Sequence, residues 1–303
     1  MQRLLVFESM WGMQRLKGRA ADLPLADMVA EAAAAGFDGV THLFFTPELA
    51  APLAAAAGDN GLLIEGQCFP ATIEDLKPTL ELANRYGIHH LTIQPDVRPR
   101  ALSESLRILE GWNRLAEASD VPVYVETHRG RITNDLLVTL DILDAMPELK
   151  LLADLSHFMV GREFPEPPVP REMDDQIKRV LDHAWAAHGR VASPEQVQVE
   201  ISFPHNKPYL DQFLAWWGYL FESWSRRAGP DDTLSFTCEL GPSPYAIRGP
   251  DGVDLVDRWQ EALMLKDLAR DLWASTPRGR QPDAIRRVLE PSETATGDCQ
   301  SAS

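Results

Sequence analysis

Three acidic residues close apolar runs in the second half of the chain. Glu126 ends the run VYVE, Asp154 ends LLAD and Glu239 ends FTCE. Burying a carboxylate in an apolar environment is costly unless the carboxylate is paired or coordinates a cation. If the fold brings these acids together, they therefore predict a divalent metal site.

A histidine supplies the fourth candidate ligand. His188 ends the alanine-rich run AWAAH, and its neutral ring nitrogen would complete a mixed oxygen and nitrogen shell. Such a shell suits Mn²⁺ best, with Mg²⁺ and Co²⁺ as alternatives and Zn²⁺ less favoured. His183 and His205 are the other histidines that could take this place.

Polar residues near these positions are candidate substrate contacts. His157 lies three residues after Asp154 and could touch the substrate or support a ligand. Arg129 and Arg190 closely follow candidate ligands, where a guanidinium could bind a substrate oxygen or phosphate, or form a salt bridge at the rim. Gln67 and Gln94 end earlier runs and could hydrogen-bond sugar hydroxyls. Three further residues could complete the wall of the pocket: Glu8, His42 and Trp11.

An alternation of β-rich runs with segments of helical periodicity must position these residues. This is the pattern of βα units and a parallel sheet. The periodicity of the seventh run also fits an extension of the preceding helix. Helices are predicted between the runs, for example over 24–35, 72–86 and 257–275. The eight predicted strands cover residues 4–10, 39–45, 62–69, 89–95, 122–127, 149–155, 184–191 and 234–240.

Eight alternating units predict an α/β fold, a (β/α)8 TIM barrel. They fit a closed barrel of about 250 residues better than an open doubly wound sheet, and no glycine-rich dinucleotide fingerprint follows the first strand. In a barrel the C-terminal ends of the strands meet at one mouth, which would gather the acids and the histidine. We predict a single catalytic domain over residues 1–276 and a disordered polar tail over 277–303, because the tail has too little apolar content to order itself.

Two long, proline-rich loops are predicted on the same face of the barrel, over 161–173 and 192–209. Long loops in compact domains often act as lids. We expect both to form the rim of the site and to set substrate choice. Phe164, Phe203 and Tyr209 are the side chains that could close apolar surface over a substrate.

The composition narrows the class of protein. A formal net charge of −16 argues against a nucleic-acid partner, since such proteins normally display a basic face. The three cysteines are widely spaced and offer neither a disulfide framework nor a thiolate metal site. No signal-peptide pattern or membrane-spanning apolar stretch is present, so we expect a cytoplasmic protein without a membrane partner. The oligomeric state stays open, a homo-oligomer included.

The motifs VETHRG, ADLSH, HGRV and CELGP, in this order, resemble the sugar phosphate isomerase/epimerase group of the xylose isomerase-like TIM barrels. The resemblance covers roughly residues 1–275. It implies Glu126, Asp154, His188 and Glu239 as metal ligands, with the His-x-Arg pattern of the seventh strand falling on His188 and Arg190. The stretch 192–206 departs from the glycine- and proline-rich loop expected of close relatives, which leaves the substrate open.

The resemblance also implies a reaction class, proton transfer beside a carbonyl through an enediolate, with Glu126 and Glu239 moving the proton. The expected activity is a sugar isomerase or epimerase with a small-molecule sugar or sugar derivative as substrate. A lyase of the same superfamily, dehydrating keto-inositols or eliminating from 3-keto-glycosides, is the alternative. The endonuclease branch with three zinc ions is disfavoured by the net charge and by only eight histidines. A non-catalytic metal- or sugar-binding barrel is a further alternative.

Overall fold

The computed structural model describes residues 1–276, and the tail predicted over 277–303 lies outside the described residues. Eight parallel strands each pair with their neighbours in sequence, and the first strand pairs with the last to close the barrel. The predicted fold is therefore confirmed. The strands are β1 Arg3–Ser9, β2 Gly39–Leu43, β3 Leu63–Cys68, β4 His90–Ile93, β5 Val123–Glu126, β6 Leu151–Ala153, β7 Ala184–Gly189 and β8 Thr233–Cys238.

Nine α-helices in the described part of the chain surround this sheet. Left-handed glycines end two of them, at Gly61 and Gly87, where the absence of a Cβ removes the steric cost of a positive φ. No helix among the described residues is long and apolar enough to cross a membrane. The helices are α1 Leu25–Ala34, α2 Pro47–Asn60, α3 Leu76–Tyr86, α4 Leu102–Glu117, α5 Leu136–Ala145, α6 Ser156–Gly161, α7 Arg171–Leu181, α8 Lys207–Arg227 and α9 Arg258–Ser275.

The seventh predicted run forms a strand and does not extend the helix before it. In β7, Ala187 pairs with Ala153 of β6 and with Phe236 of β8. The ambiguity arose because a short alanine-rich run carries no periodicity of its own. Pairing on both sides of the strand decides its structure.

Apolar side chains pack on both faces of the sheet. The larger core lies between the sheet and the helices, and a smaller cluster inside the barrel contains Tyr124, Leu152 and Ala186. At this level the rings of Phe7 and Tyr124 flank that of His90, with centroids 6.2 and 5.1 Å away. The barrel is therefore plugged below its mouth, and any substrate must enter from the C-terminal ends of the strands.

The two predicted lid loops are shorter and more buried than expected. Phe164 is buried and its ring lies 6.2 Å from that of Trp216 in α8. In the second loop, Gln198 is also buried, and its side chain binds the backbone of Gly241 through bonds of 2.8 and 3.1 Å. The prediction that Phe164 faces the substrate was wrong, because this buried ring packs against α8.

Candidate metal centre

The four predicted ligands converge at the mouth of the barrel. Glu126, Asp154, His188 and Glu239 each offer one ligand atom, and these four atoms all lie within 4.8 Å of one another. The side chains alternate along each strand, so the last inward-facing position of β5 and the residues just beyond β6 and β8 point into the mouth. The structure therefore brings together residues that are up to 113 positions apart in sequence, from Glu126 to Glu239.

The donor atoms of this cluster fit a divalent cation. Both carboxylate oxygens of Glu126 are buried without a hydrogen-bond partner among the described residues. Nδ1 of His188 lies 3.0 Å from Oε2 of Glu239 and 3.7 Å from Oε1 of Glu126, yet no hydrogen bond is aligned with this nitrogen. Buried oxygen and nitrogen atoms left unpaired in this way are costly, and coordination to a metal would satisfy them.

Charge crowding shifts the pKa values of the cluster in opposite directions. Burial raises the pKa of Glu126, and Glu239 adds to the rise while His188 opposes it. Burial also acts to raise the pKa of Glu239, but His188 and Arg190 outweigh it and lower that pKa. For His188, burial acts to lower the pKa, yet Glu239, Glu65 and Glu126 raise it well above the usual value. The centre thus concentrates negative charge around one imidazole ring.

Arg190 lies against the metal cluster. One of its guanidinium nitrogens, Nη2, donates to Oδ2 of Asp154 at 2.6 Å and to Oε2 of Glu239. The guanidinium also lies over the ring of Tyr245, 4.9 Å from its centroid. Its Nε and Nη1 have no hydrogen-bond partner among the described residues, so these donors are available to a substrate oxygen.

Glu65 is a buried residue beside the site that sequence reasoning missed. It lies within β3, is fully buried, and its Oε1 is 2.9 Å from Nε2 of His188. Burial acts to raise its pKa, but His188, His90 and the hydroxyl of Thr237 bring the pKa down to about 2. The sequence signal was weak, because Glu65 ends no apolar run.

A cavity of about 440 Å³ opens directly above the cluster. Among the predicted substrate contacts, Gln67, Gln94 and Arg190 line it, as do Trp11 and His42. Gln67 also donates to Oε1 of Glu239 at 3.3 Å. Within the described chain, neither predicted lid loop contributes to the lining. The cavity is walled by residues of β2 and β3 and by residues that follow β1, β3, β4, β5, β7 and β8.

The remaining predicted contacts lie beside the cavity. His157 is fully buried with Nε2 3.5 Å from Oδ2 of Asp154, and neither ring nitrogen has a hydrogen-bond partner among the described residues. Arg129 lies over the ring of Tyr245, 5.6 Å from its centroid. His128 and Arg131 line the cavity although the sequence analysis did not select them. Their position within five residues of Glu126, in the same loop, was the available signal.

Three of the weaker candidates are placed elsewhere. Glu8 faces α1 and α9 on the outside of the barrel, where Glu31 and Arg258 influence its charge, so its prediction as a wall residue was wrong. His183 is partly exposed just before β7, and His205 is exposed in a short 3-10 turn. The alternation of strand side chains places Glu8 on the opposite face from Phe7.

The aromatic wall is built by close packing of the loops after β1 and β8. Trp11 and Tyr245 meet edge to face with centroids 5.0 Å apart. A Cβ on Gly241 would lie 2.1 Å from Cη2 of Trp11, so only glycine lets the indole lie this close. Gln198 holds the backbone of Gly241 in place, which gives the second loop a role in supporting the wall.

Solved structures with similar folds include several sugar-processing proteins. An L-ribulose 3-epimerase matches with a TM-score of 0.59 at 15% identity, over 96% of this chain and 100% of that chain. A xylose isomerase-like TIM barrel protein from Mycobacterium smegmatis, in complex with magnesium, matches with a TM-score of 0.58 at 11% identity, over 88% and 97%. A sugar phosphate isomerase/epimerase from Parabacteroides distasonis matches with a TM-score of 0.56 at 9% identity, over 91% and 94%. At these identities the similarity shows the shared fold.

Comparison at the sequence level agrees with the fold. No curated protein matches the chain significantly. The family profile described as "Xylose isomerase-like TIM barrel" matches residues 29–191, more than half of the 303 residues, and this segment contains three of the four clustered ligands. The chain therefore belongs to the xylose isomerase-like TIM barrel family.

Proposed function

We propose that this protein is a metal-dependent sugar isomerase or epimerase that transfers a proton at the carbon beside a carbonyl group. The observation that carries the proposal is the cluster of three carboxylates and one imidazole, with ligand atoms within 4.8 Å of one another. Glu239 of this cluster also lines the cavity above it. A ligand set and a substrate cavity that share a carboxylate favour chemistry at a metal-bound substrate.

Glu126, Asp154, His188 and Glu239 would hold the cation, for which Mn²⁺ is the best-suited ion. When bound, the ion would act as a Lewis acid on a carbonyl oxygen and increase the acidity of the neighbouring carbon. Glu126 and Glu239 are the groups that would accept and return the proton. Arg190 lines the cavity and would contact a substrate oxygen through Nε or Nη1, which have no hydrogen-bond partner among the described residues. His157, which is buried beside Asp154, stays a predicted substrate contact.

The walls of the cavity support a sugar as the substrate. Trp11, Phe69 and Tyr245 present aromatic surface, which packs well against the C–H faces of a sugar. Gln67 and Gln94 supply amide donors and acceptors for hydroxyl groups. A cavity that combines apolar walls with a few polar groups is typical of small-molecule sites.

The proposal is tested by measuring exchange of the substrate proton beside the carbonyl with solvent deuterium. The metal-free and Mn²⁺-loaded protein would be incubated in D₂O with a panel of ketoses, aldoses and their phosphates, and the products identified by NMR. We expect Mn²⁺-dependent deuterium incorporation beside the carbonyl, with formation of an isomer or epimer. Glu126→Gln and Glu239→Gln should each lower the rate by about 100-fold or more, because each removes a proton-transfer group.

Metal content must be measured alongside the rate, because both glutamates are also candidate ligands. Glu148→Gln is the matched control, since Glu148 is exposed at the opposite end of the barrel, before β6. Either active-site variant with near wild-type turnover at full metal occupancy would overturn the two-carboxylate mechanism. Release of water or of another leaving group in place of an isomer would assign the alternative lyase activity.

A further inference from the structure

We propose that Glu65 is a positioning residue that selects Nδ1 of His188 as the metal-binding nitrogen and thereby strengthens metal binding. The inference rests on the proposed metal dependence and extends it to a residue one layer below the ligands. Glu65 does not belong to the ligand cluster, and it does not line the cavity among the described residues. Glu65 contacts this cluster through His188.

Three side chains from three different strands hold the Glu65 carboxylate. The hydroxyl of Thr92 in β4 donates to Oε1 at 2.8 Å, and the hydroxyl of Thr237 in β8 donates to Oε2 at 2.6 Å. Nε2 of His188 lies 2.9 Å from Oε1. A carboxylate that receives hydroxyl hydrogens on both oxygens is an acceptor, so the hydrogen of this last bond belongs to Nε2 of His188.

This assignment fixes the chemistry of the other nitrogen. A histidine that binds a metal is neutral, and in that form a hydrogen on Nε2 leaves the lone pair on Nδ1. Nδ1 is the nitrogen that faces Glu239 and Glu126, at 3.0 and 3.7 Å. Glu65 therefore both chooses the tautomer and orients the ring, so that the lone pair points toward the carboxylates that would share the cation.

The barrel interior leaves the Glu65 carboxylate little freedom to move. It is fully buried, and His90 lies beneath it, with Nε2 3.8 Å from Oε2. His90 is in turn enclosed by the rings of Phe7 and Tyr124. A carboxylate fixed in this way preorganises the imidazole before metal binding, and loss of such a partner to a metal-bound histidine typically weakens affinity 10- to 100-fold.

A purely structural role makes a different prediction. If Glu65 only satisfied the threonine hydroxyls, a glutamine of the same shape would serve as well, and metal affinity would not change. A glutamine at this position keeps an oxygen acceptor but removes the negative charge, and its amide group can also donate a hydrogen to His188. The Glu65→Gln variant therefore separates the two roles.

The experiment combines metal titration with a direct measurement of the tautomer. Mn²⁺ would be titrated by calorimetry into metal-free full-length wild-type protein, Glu65→Gln and the exposed control Glu148→Gln. We expect about 10- to 100-fold weaker binding for Glu65→Gln and no change for Glu148→Gln. Circular dichroism and thermal melting of the metal-free proteins would establish that the variants are folded.

Long-range ¹⁵N–¹H NMR of the Mg²⁺-loaded wild-type protein identifies which nitrogen of His188 carries a hydrogen. This measurement does not depend on any variant of Glu65. The signal is assigned by its loss in His188→Gln, and we expect the hydrogen on Nε2. A hydrogen on Nδ1, or Mn²⁺ affinity in folded Glu65→Gln within threefold of wild type, overturns this inference alone. Failure of the wild-type protein to bind Mn²⁺ overturns the proposed metal dependence as well.

Discussion

Glu8 shows what a buried carboxylate costs when nothing in the fold requires its charge. Its side chain is almost entirely buried, and Oε2 has no hydrogen-bond partner among the described residues. Burial raises its pKa well above the ordinary value, Glu31 adds to the rise, and Arg258 opposes it. Glu65 is equally buried but accepts two hydroxyl hydrogen bonds and one from His188, so its pKa moves the other way.

The raised pKa of Glu8 predicts a pH-dependent stability. A carboxyl group whose folded-state pKa is raised stabilises the fold below its unfolded pKa, and this contribution is lost as pH rises through the folded pKa. Glu8→Gln is neutral at every pH and does not lose this contribution. The free energy of unfolding of the variant, relative to that of the wild type, should therefore increase as pH rises, by up to about 1.4 kcal/mol per pH unit. Urea denaturation between pH 5 and pH 9 measures this difference.

Glu148→Gln serves as the control for the Glu8 experiment, because it makes the same substitution at an exposed position outside the core. A constant difference between Glu8→Gln and the wild type across the same range would show that Glu8 is ionised at no cost in the folded protein.

At the level of elements, the start of α9 joins the loops that carry the aromatic wall and Glu239. Arg258 is buried in the first turn of α9 and donates to Oδ2 of Asp254 at 2.8 Å. It also donates to the carbonyl oxygens of Gly12, Gln14 and Arg15 after β1 and of Leu240 after β8. The Arg258 side chain therefore joins the loop after β1 to the loop after β8. Both loops contain residues that line the cavity, among them Trp11 and Tyr245.

Arg258→Gln should destabilise the protein, because a glutamine cannot reach all of these acceptors and leaves Asp254 without its cation. Breaking a buried ion pair by removing one partner costs about 3–5 kcal/mol. Urea denaturation at neutral pH checks the size of the loss. Arg226→Gln removes an exposed arginine from α8 and should change stability by less than about 0.5 kcal/mol. Equal effects of the two substitutions would contradict a joining role for Arg258.

At the scale of the whole molecule, the candidate centre exists only in the closed barrel. Its ligands come from β5 to β8, and Glu65, which contacts His188, comes from β3. An unfolded chain separates these groups and cannot offer them to one ion. Metal binding should therefore be coupled to the stability of the entire barrel.

We accordingly expect Mn²⁺ to raise the thermal unfolding midpoint of the wild-type protein. A ligand that binds only the folded state adds about 2.7 kcal/mol of stability at one hundred times its Kd. Differential scanning calorimetry with increasing Mn²⁺, and again after chelation by EDTA, measures the shift. Asp154→Asn should show a much smaller rise, and an equal rise in this variant would place the bound metal outside the proposed cluster.

Much of the candidate site could be predicted from sequence because each of its three acidic residues has a local signature. An acid that closes an apolar run, as Glu126 and Glu239 do, has to lie at the end of a buried strand, and parallel strands in a barrel all end at one mouth. The alternation of strand-like and helical segments along the sequence also predicted the barrel fold.

Only the tertiary structure decided what lies one layer beneath the ligands and which loops surround them. Glu65 sits in the middle of β3, and its partners Thr92, Thr237 and His188 come from three other strands, so no local pattern reveals the contact. The two faces of a strand are likewise equivalent in sequence until one is packed, which is why Glu8 was placed on the wrong side. The length of the two loops suggested that they could extend over the site. Burial of Phe164 against Trp216 depends instead on helix packing, which no short stretch of sequence encodes.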